Sequence, residues 1–125
     1  MLHSTTIMLY VNDVTTSAEF WEKGFNITRK ETLDLPDNYL SVILELQPAL
    51  QLQLFDKEFI KKYSPEVLNN TPSLLFATES LDQLHASLKM VSPMVSDISE
   101  ETGTRQFYFS DNNDYFFAVT EEKAR

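Results

Sequence analysis

The segment Ile7-Met8-Leu9-Tyr10-Val11, followed by Asn12-Asp13 and then by Ser17, Phe20, Trp21 and Gly24-Phe25, decides the fold. The first five residues are apolar and rich in strand formers, so the spacing predicts a strand over residues 5–11. Asn12-Asp13 is a turn signal. Thr16 and Glu19 stand at capping-box spacing, which predicts a helix from Thr16 to about Lys23. Gly24 then reads as its stop, because glycine tolerates the left-handed backbone just past a helix end.

The same order of patterns returns later in the chain. In the first half, residues 27–33 mix β-branched and charged side chains and read as a partly exposed strand. Pro36-Asp37-Asn38 marks a turn. Residues 39–46 and 50–55 read as two more strands, with Leu50, Leu52 and Leu54 alternating with Gln51 and Gln53 at a period of two. Residues 56–70 form a connector in which Phe59, Ile60 and Tyr63 fit one or two amphipathic helical turns. Residues 73–78 then read as a strand, and Ser80 with Gln83 as a second capping-box pair. Leu81, Leu84 and Leu88 fall at helical spacing up to about Lys89. A weak strand near Met94 and an acidic hairpin or loop over 98–103 precede two clear strands, 105–110 and 115–120. Each half is therefore strand, helix, three strands. The expected organisation is one α+β domain over 1–125, with module one at 1–55, the connector at 56–70 and module two at 71–125.

This order resembles the vicinal-oxygen-chelate superfamily of glyoxalases, bleomycin- and fosfomycin-resistance proteins and extradiol dioxygenases. The opening segment carries the resemblance. Leu75-Phe76 through Leu81-Asp82, and the closing hairpin from Phe109 to Val119 with Asp111 at its turn, extend it over nearly the whole chain. The resemblance implies two βαβββ modules forming a curved mixed sheet with a concave cleft, and a homodimer. It also implies a divalent metal held by a histidine on the first strand, a histidine on the fifth and a glutamate on the eighth. Those seats fall on Thr6, Ser73 and Ala118, and a further family glutamate falls near Leu52 or Gln53. None is a histidine or carboxylate, and hydroxyls are poor ligands for zinc, iron, nickel or manganese. The expectation is a member without the family metal: no metal residues, no catalytic residues and no cofactor.

Alternation sorts the strand faces. Ile7, Leu9, Val11, Leu74, Phe76, Phe117 and Val119 are expected under the helices. Thr6, Met8, Tyr10, Ser73, Leu75, Ala77, Phe116 and Ala118 are expected in the concavity, an apolar surface with a few hydroxyls that suits an organic molecule. Gln51 and Gln53 add amide groups if their face is the inner one. Tyr108 and Tyr115 offer rings for stacking. Phe20 and Trp21 read as helix core, and His85, beside the apolar stripe of its helix, as a half-buried packing residue.

Composition narrows the function classes. The chain has 125 residues, 42% of them hydrophobic, a net charge of −9 and no cysteine. Such acidity opposes binding to nucleic acid and to anionic membranes. It is compatible with a cationic guest without selecting one. No apolar run approaches the roughly 20 residues of a membrane span, and the first residues lack a signal-peptide pattern. With cysteine absent, disulfides and thiolate sites are excluded, and the expected location is cytoplasmic. The leading reading is non-catalytic sequestration of a small organic molecule. A lyase, isomerase or dioxygenase with an atypical site is the alternative, and a protein-interaction or regulatory module is the third reading.

Overall fold

The structure, a computed structural model, describes residues 1–123. Strand β1 (Thr5–Val11) leads into helix α1 (Val14–Phe25), then β2 (Lys30–Asp34), β3 (Leu40–Gln47) and β4 (Leu50–Asp56). The connector holds a short helix, α2 (Lys57–Tyr63). Strand β5 (Leu75–Thr78), helix α3 (Leu81–Lys89) and strands β6 (Ser99–Glu101), β7 (Thr104–Ser110) and β8 (Phe116–Glu121) complete the chain. The strands form two sheets of order β1-β4-β3-β2 and β5-β8-β7-β6. In each, the first strand runs parallel to the last and the other pairs are antiparallel. The two halves thus share one topology, as expected of paired βαβββ modules. Among the described residues no helix is long and apolar enough to cross a membrane.

Alternation along the strands builds one core between the sheets and the helices. Leu9, Val11, Leu52 and Leu54 from the first sheet are buried with Phe107, Phe109, Phe117 and Val119 from the second. Ile7, Leu74 and Phe76 pack against the same cluster. Trp21 of α1 sits at its centre, fully buried, with ring centroids 5.2 Å from Phe25, 6.1 Å from Phe76, 6.1 Å from Phe109 and 5.5 Å from Phe117. A helix of the first half therefore packs on the sheet of the second. Burial of aromatic side chains at this scale supplies the largest apolar contribution per residue.

The helix ends differ from the sequence reading. Asp13, not Thr16, caps α1: its backbone is extended and its carboxylate accepts from the Thr16 N–H at 3.2 Å. The helix so starts at Val14 and runs on past Gly24. Its stop is Asn26, in the left-handed region at φ 52°, a conformation asparagine tolerates. Gly24 instead permits a close helix approach. A Cβ there would lie 2.8 Å from Leu88 Cδ2, and Leu88 is fully buried in α3. Ser87, also on α3, shares its one hydroxyl hydrogen between the backbone oxygens of Gly24 at 2.8 Å and Lys23 at 3.1 Å, supplying a donor to the last turn of α1. Ser80 precedes α3 as expected, but its side chain makes no capping hydrogen bond. The weak strand near Met94 reduces to a single bridge, Val95 to Phe109. The acidic segment is a true hairpin, β6 to β7, turned by Thr102 at φ 52° and Gly103 at φ 79°.

Candidate ligand-binding faces

The side of each sheet turned away from α1 and α3 carries the residues singled out by sequence. On the first sheet, parallel pairing sets Thr6 beside Gln51, Met8 beside Gln53 and Tyr10 beside Phe55. Both glutamines therefore share the face of Thr6 and Met8, a point the sequence left open. Gln51 Nε2 donates to Thr6 Oγ1 at 2.8 Å. Gln53 Nε2 donates to Ser41 Oγ at 3.0 Å, and the Ser41 hydroxyl donates to the Leu54 carbonyl at 2.8 Å. The face is thus a short ladder of side-chain hydrogen bonds beside the exposed Met8.

One end of this face is covered. Phe55 packs edge-on to Tyr10 at 6.3 Å, Phe59 of α2 stacks on Phe55 at 6.2 Å, and Tyr39 and Tyr63 close on Phe59 at 5.7 and 4.8 Å. Tyr10 is consequently only 5% exposed. Asp37, held in a left-handed turn, ties the β2–β3 loop to this helix by accepting from Lys62 Nζ and from Tyr63 Oη at 2.6 Å. The Lys62 contact, then the Tyr63 contact, holds the Asp37 carboxyl below its ordinary pKa.

The second sheet presents a more open apolar face. Leu75 is 67% exposed, Phe116 58% and Tyr108 49%. Ser73, Tyr108, Phe116 and Ala118 line a shallow recess of about 460 Å3. Ser73 lies just before β5, and Ala118 pairs with Leu75. A separate recess of about 330 Å3 joins Ile7, Met8 and Tyr10 to Asn70, Thr71 and Pro72. The structure therefore brings Thr6, Met8, Tyr10, Gln51 and Gln53 together on one sheet, and Ser73, Leu75, Phe116 and Ala118 together at the other. Neither recess takes lining residues from both sheets.

A larger recess, about 540 Å3, lies on the helix side, between the end of α1, the end of β3, β5 and the start of α3. Lys23, Phe25, Gln47, Phe76 and Gln83 are among its lining residues, and so is Ala77, which alternation had assigned to the concavity. The sequence signal for it was Gly24, which allows α1 and α3 to meet at its floor.

The donor set does not fit a divalent metal. Thr6, Ser73 and Ala118 occupy the seats implied by the resemblance, and Leu52 is fully buried in the core. Among the described residues no three His, Cys, Asp or Glu side chains cluster as ligands. His85 is the packing residue expected, with Nε2 2.8 Å from the Ser96 carbonyl and its ring edge-on to Phe107. His3 is exposed ahead of β1.

Asp111 is the residue that sequence reasoning undervalued. It was noted as a turn match, yet it is fully buried. Its Oδ1 accepts from the backbone N–H of Asn113 at 2.8 Å and of Tyr115 at 2.9 Å, while Oδ2 has no partner. The turn it shapes joins the two halves. Asn113 Oδ1 accepts from the Asn12 N–H at 3.1 Å, Ser17 Oγ donates to Asn112 Oδ1 at 3.2 Å, and Tyr115 Oη donates to the Tyr10 carbonyl at 2.9 Å. Burial raises the Asp111 pKa, against the lowering effect of its two N–H partners. The folded protein therefore binds a proton more readily here than the unfolded chain does. This group's destabilising effect is complete above its folded pKa and is relieved as pH falls toward the unfolded value. Asp111→Asn keeps the acceptor and removes the charge. The expected result is equal or greater stability than the parent at pH 7, an advantage that shrinks as pH falls through the folded pKa because the parent then regains what the charge had cost, read by urea unfolding of both proteins across pH.

Sequence and structure comparisons agree with this architecture. Residues 3–119 match the family model for the Glyoxalase/Bleomycin resistance protein/Dioxygenase superfamily. Among curated proteins none matches the chain. Among solved structures, the hypothetical protein SA1046 from S. aureus is similar at TM-score 0.71 and 19% identity, covering 98% of this chain and 95% of that one. The fosfomycin resistance protein FosX from Listeria monocytogenes is similar at TM-score 0.69 and 15% identity, with coverage of 98% and 95%. Lactoylglutathione lyase from Agrobacterium tumefaciens is similar at TM-score 0.66 and 16% identity, with coverage of 95% and 92%. These identities speak to the fold alone, and resistance proteins and enzymes both appear among them. The family match spans nearly the whole length over which the two sheets repeat one topology, and on that ground the chain belongs to the Glyoxalase/Bleomycin resistance protein/Dioxygenase superfamily.

Proposed function

We propose that this protein binds a small organic molecule without transforming it, on the outward faces of its two sheets. The observation that supports the reading most is the open apolar face of Leu75, Tyr108 and Phe116 beside Ala118, where the family places a metal-binding carboxylate. An exposed cluster of large apolar side chains marks a binding surface more often than it serves solubility. Thr6, Gln51, Gln53 and Ser73 supply polar groups that orient a guest, and the exposed Met8 adds apolar contact, whereas Tyr10 is covered. Because the two groups lie on different sheets, the proposal includes a homodimer in which the sheet of one copy faces that of another. The net charge of −9 is compatible with a cationic guest without selecting one. Local contacts decide which part of a guest is held where.

The test separates binding from the metal chemistry of relatives. Purified protein is analysed for bound metal and then titrated with nickel, zinc, manganese and iron(II), with melting temperature as readout. The expected result is no stoichiometric metal and no saturable stabilisation. Retention of one metal per chain with a rise in melting temperature contradicts the reading and favours a lyase, isomerase or dioxygenase.

A further inference from the structure

The connector carries two lysines that face one recess. Lys57 and Lys61 are one turn apart on α2 and lie on the same side of the helix. Both line a recess of about 440 Å3 with Glu58, Asn69, Thr71 and Tyr115. Arg29, Lys30, Lys62 and Arg105 are engaged in ion pairs, whereas among the described residues Lys57 and Lys61 have no carboxylate partner within 4.0 Å. The Lys57 ammonium lies 5.5 Å from the centre of the Tyr115 ring, which holds its stem at the recess wall. Tyr115 is itself fixed by its hydrogen bond to the Tyr10 carbonyl.

The geometry points to this recess as a subsite for an anionic group, a carboxylate or a phosphate, on an organic ligand. Two ammonium groups, the Asn69 amide and the Thr71 hydroxyl line it, against one carboxylate, Glu58. Hydrogen bonds from ammonium to an oxyanion are about twice as strong as neutral ones. The chain as a whole is acidic, but exposed charges farther away than a Debye length of about 8 Å are largely screened at physiological salt. Close by, the recess sets its two lysines against Glu58, while Asp56 at the start of α2 accepts from the Glu58 N–H at 2.7 Å. Thr71 also lines the recess of Met8 and Tyr10, so the two recesses share it as a wall. A ligand with its anionic end at the lysines places its apolar body along Met8. That second placement rests on the outward-face reading, while the anion contact does not.

Phenyl phosphate and the neutral benzyl alcohol are titrated separately into the full chain, followed by backbone amide NMR. With phenyl phosphate, saturable shifts are expected at Lys57, Lys61, Asn69, Thr71 and Tyr115. The double variant Lys57→Gln/Lys61→Gln weakens binding by roughly tenfold or more, equivalent to about 1.4 kcal/mol. Lys89→Gln/Lys123→Gln changes the net charge equally and leaves affinity within about twofold, since distant exposed charges are screened. Both pairs retain the parent melting temperature. Absence of saturable shifts at the connector, or equal weakening in both double variants, overturns the subsite. Benzyl alcohol reads the sheet faces alone. Its failure to shift Met8 or Phe116, with phenyl phosphate still shifting the connector, removes the outward-face reading and leaves the anion subsite standing.

Discussion

Trp21→Ala is expected to cost about 3–5 kcal/mol, the range for removing a buried aromatic from a packed core. Folded domains hold only about 5–15 kcal/mol in total, so the variant sits near the edge of folding. The reason is position as much as size. Trp21 belongs to the first half of the chain, yet its ring meets Phe76, Phe109 and Phe117 of the second sheet. Its removal opens a cavity where both sheets and α1 converge, so both halves lose stability together. Urea unfolding followed by circular dichroism, with hydrogen exchange on β4 and β8, is the measurement. One transition at a lower midpoint, with both strands exposed in parallel, is expected. A variant that destabilises only one sheet contradicts the shared core. Trp21→Phe costs less, because the indole Nε1 has no hydrogen-bond partner to lose.

The second large effect concerns binding. Phe116→Asp replaces an exposed ring on the open face with a charge, while Phe117, its neighbour in β8, keeps the core intact. Losing the burial of one aromatic side chain removes about 1.5–3 kcal/mol, which is a loss of affinity of roughly 10- to 100-fold. A small-molecule panel supplies the guest, found by its melting shift on the parent protein. Phe116→Asp is expected to lose that shift while its own melting temperature stays near the parent value. Undiminished affinity in the folded variant removes Phe116 from the site.

How much of this was legible in sequence follows from where the information lies. Strand faces were readable because alternation is local: Leu9 and Val11 fell inside, Thr6 and Met8 outside. The cap of α1 was misread because Asp13 and Thr16 are both good caps, and only the backbone geometry at Asp13 shows which one reaches an open N–H. Gly24 reads as a stop from its own conformational freedom, but its role depends on Leu88, which is distant in sequence. The face of Gln51 and Gln53 was undecidable until β4 was paired with β1. Asp111 resembles any polar turn residue, since nothing nearby in sequence announces that its turn will bond to Asn12 and Ser17. The aromatic cover over Tyr10 was invisible for the same reason. Phe59 and Tyr63 showed an apolar helix face, but not the surface beneath it. Nothing in the sequence pattern marks the connector lysines, and only their shared recess with Tyr115 distinguishes them.

Mapping a bound guest by amide and methyl NMR tests the central claim most directly. The helix-side recess by Gly24, Gln47 and Phe76 is larger than either outward recess and is the natural rival. A guest held on the outward faces shifts Met8, Leu75, Phe116 and Ala118 and leaves Gly24, Gln47 and Gln83 unmoved. Shifts confined to Gly24, Gln47, Phe76 and Gln83 contradict that reading and place the binding site between the helices instead.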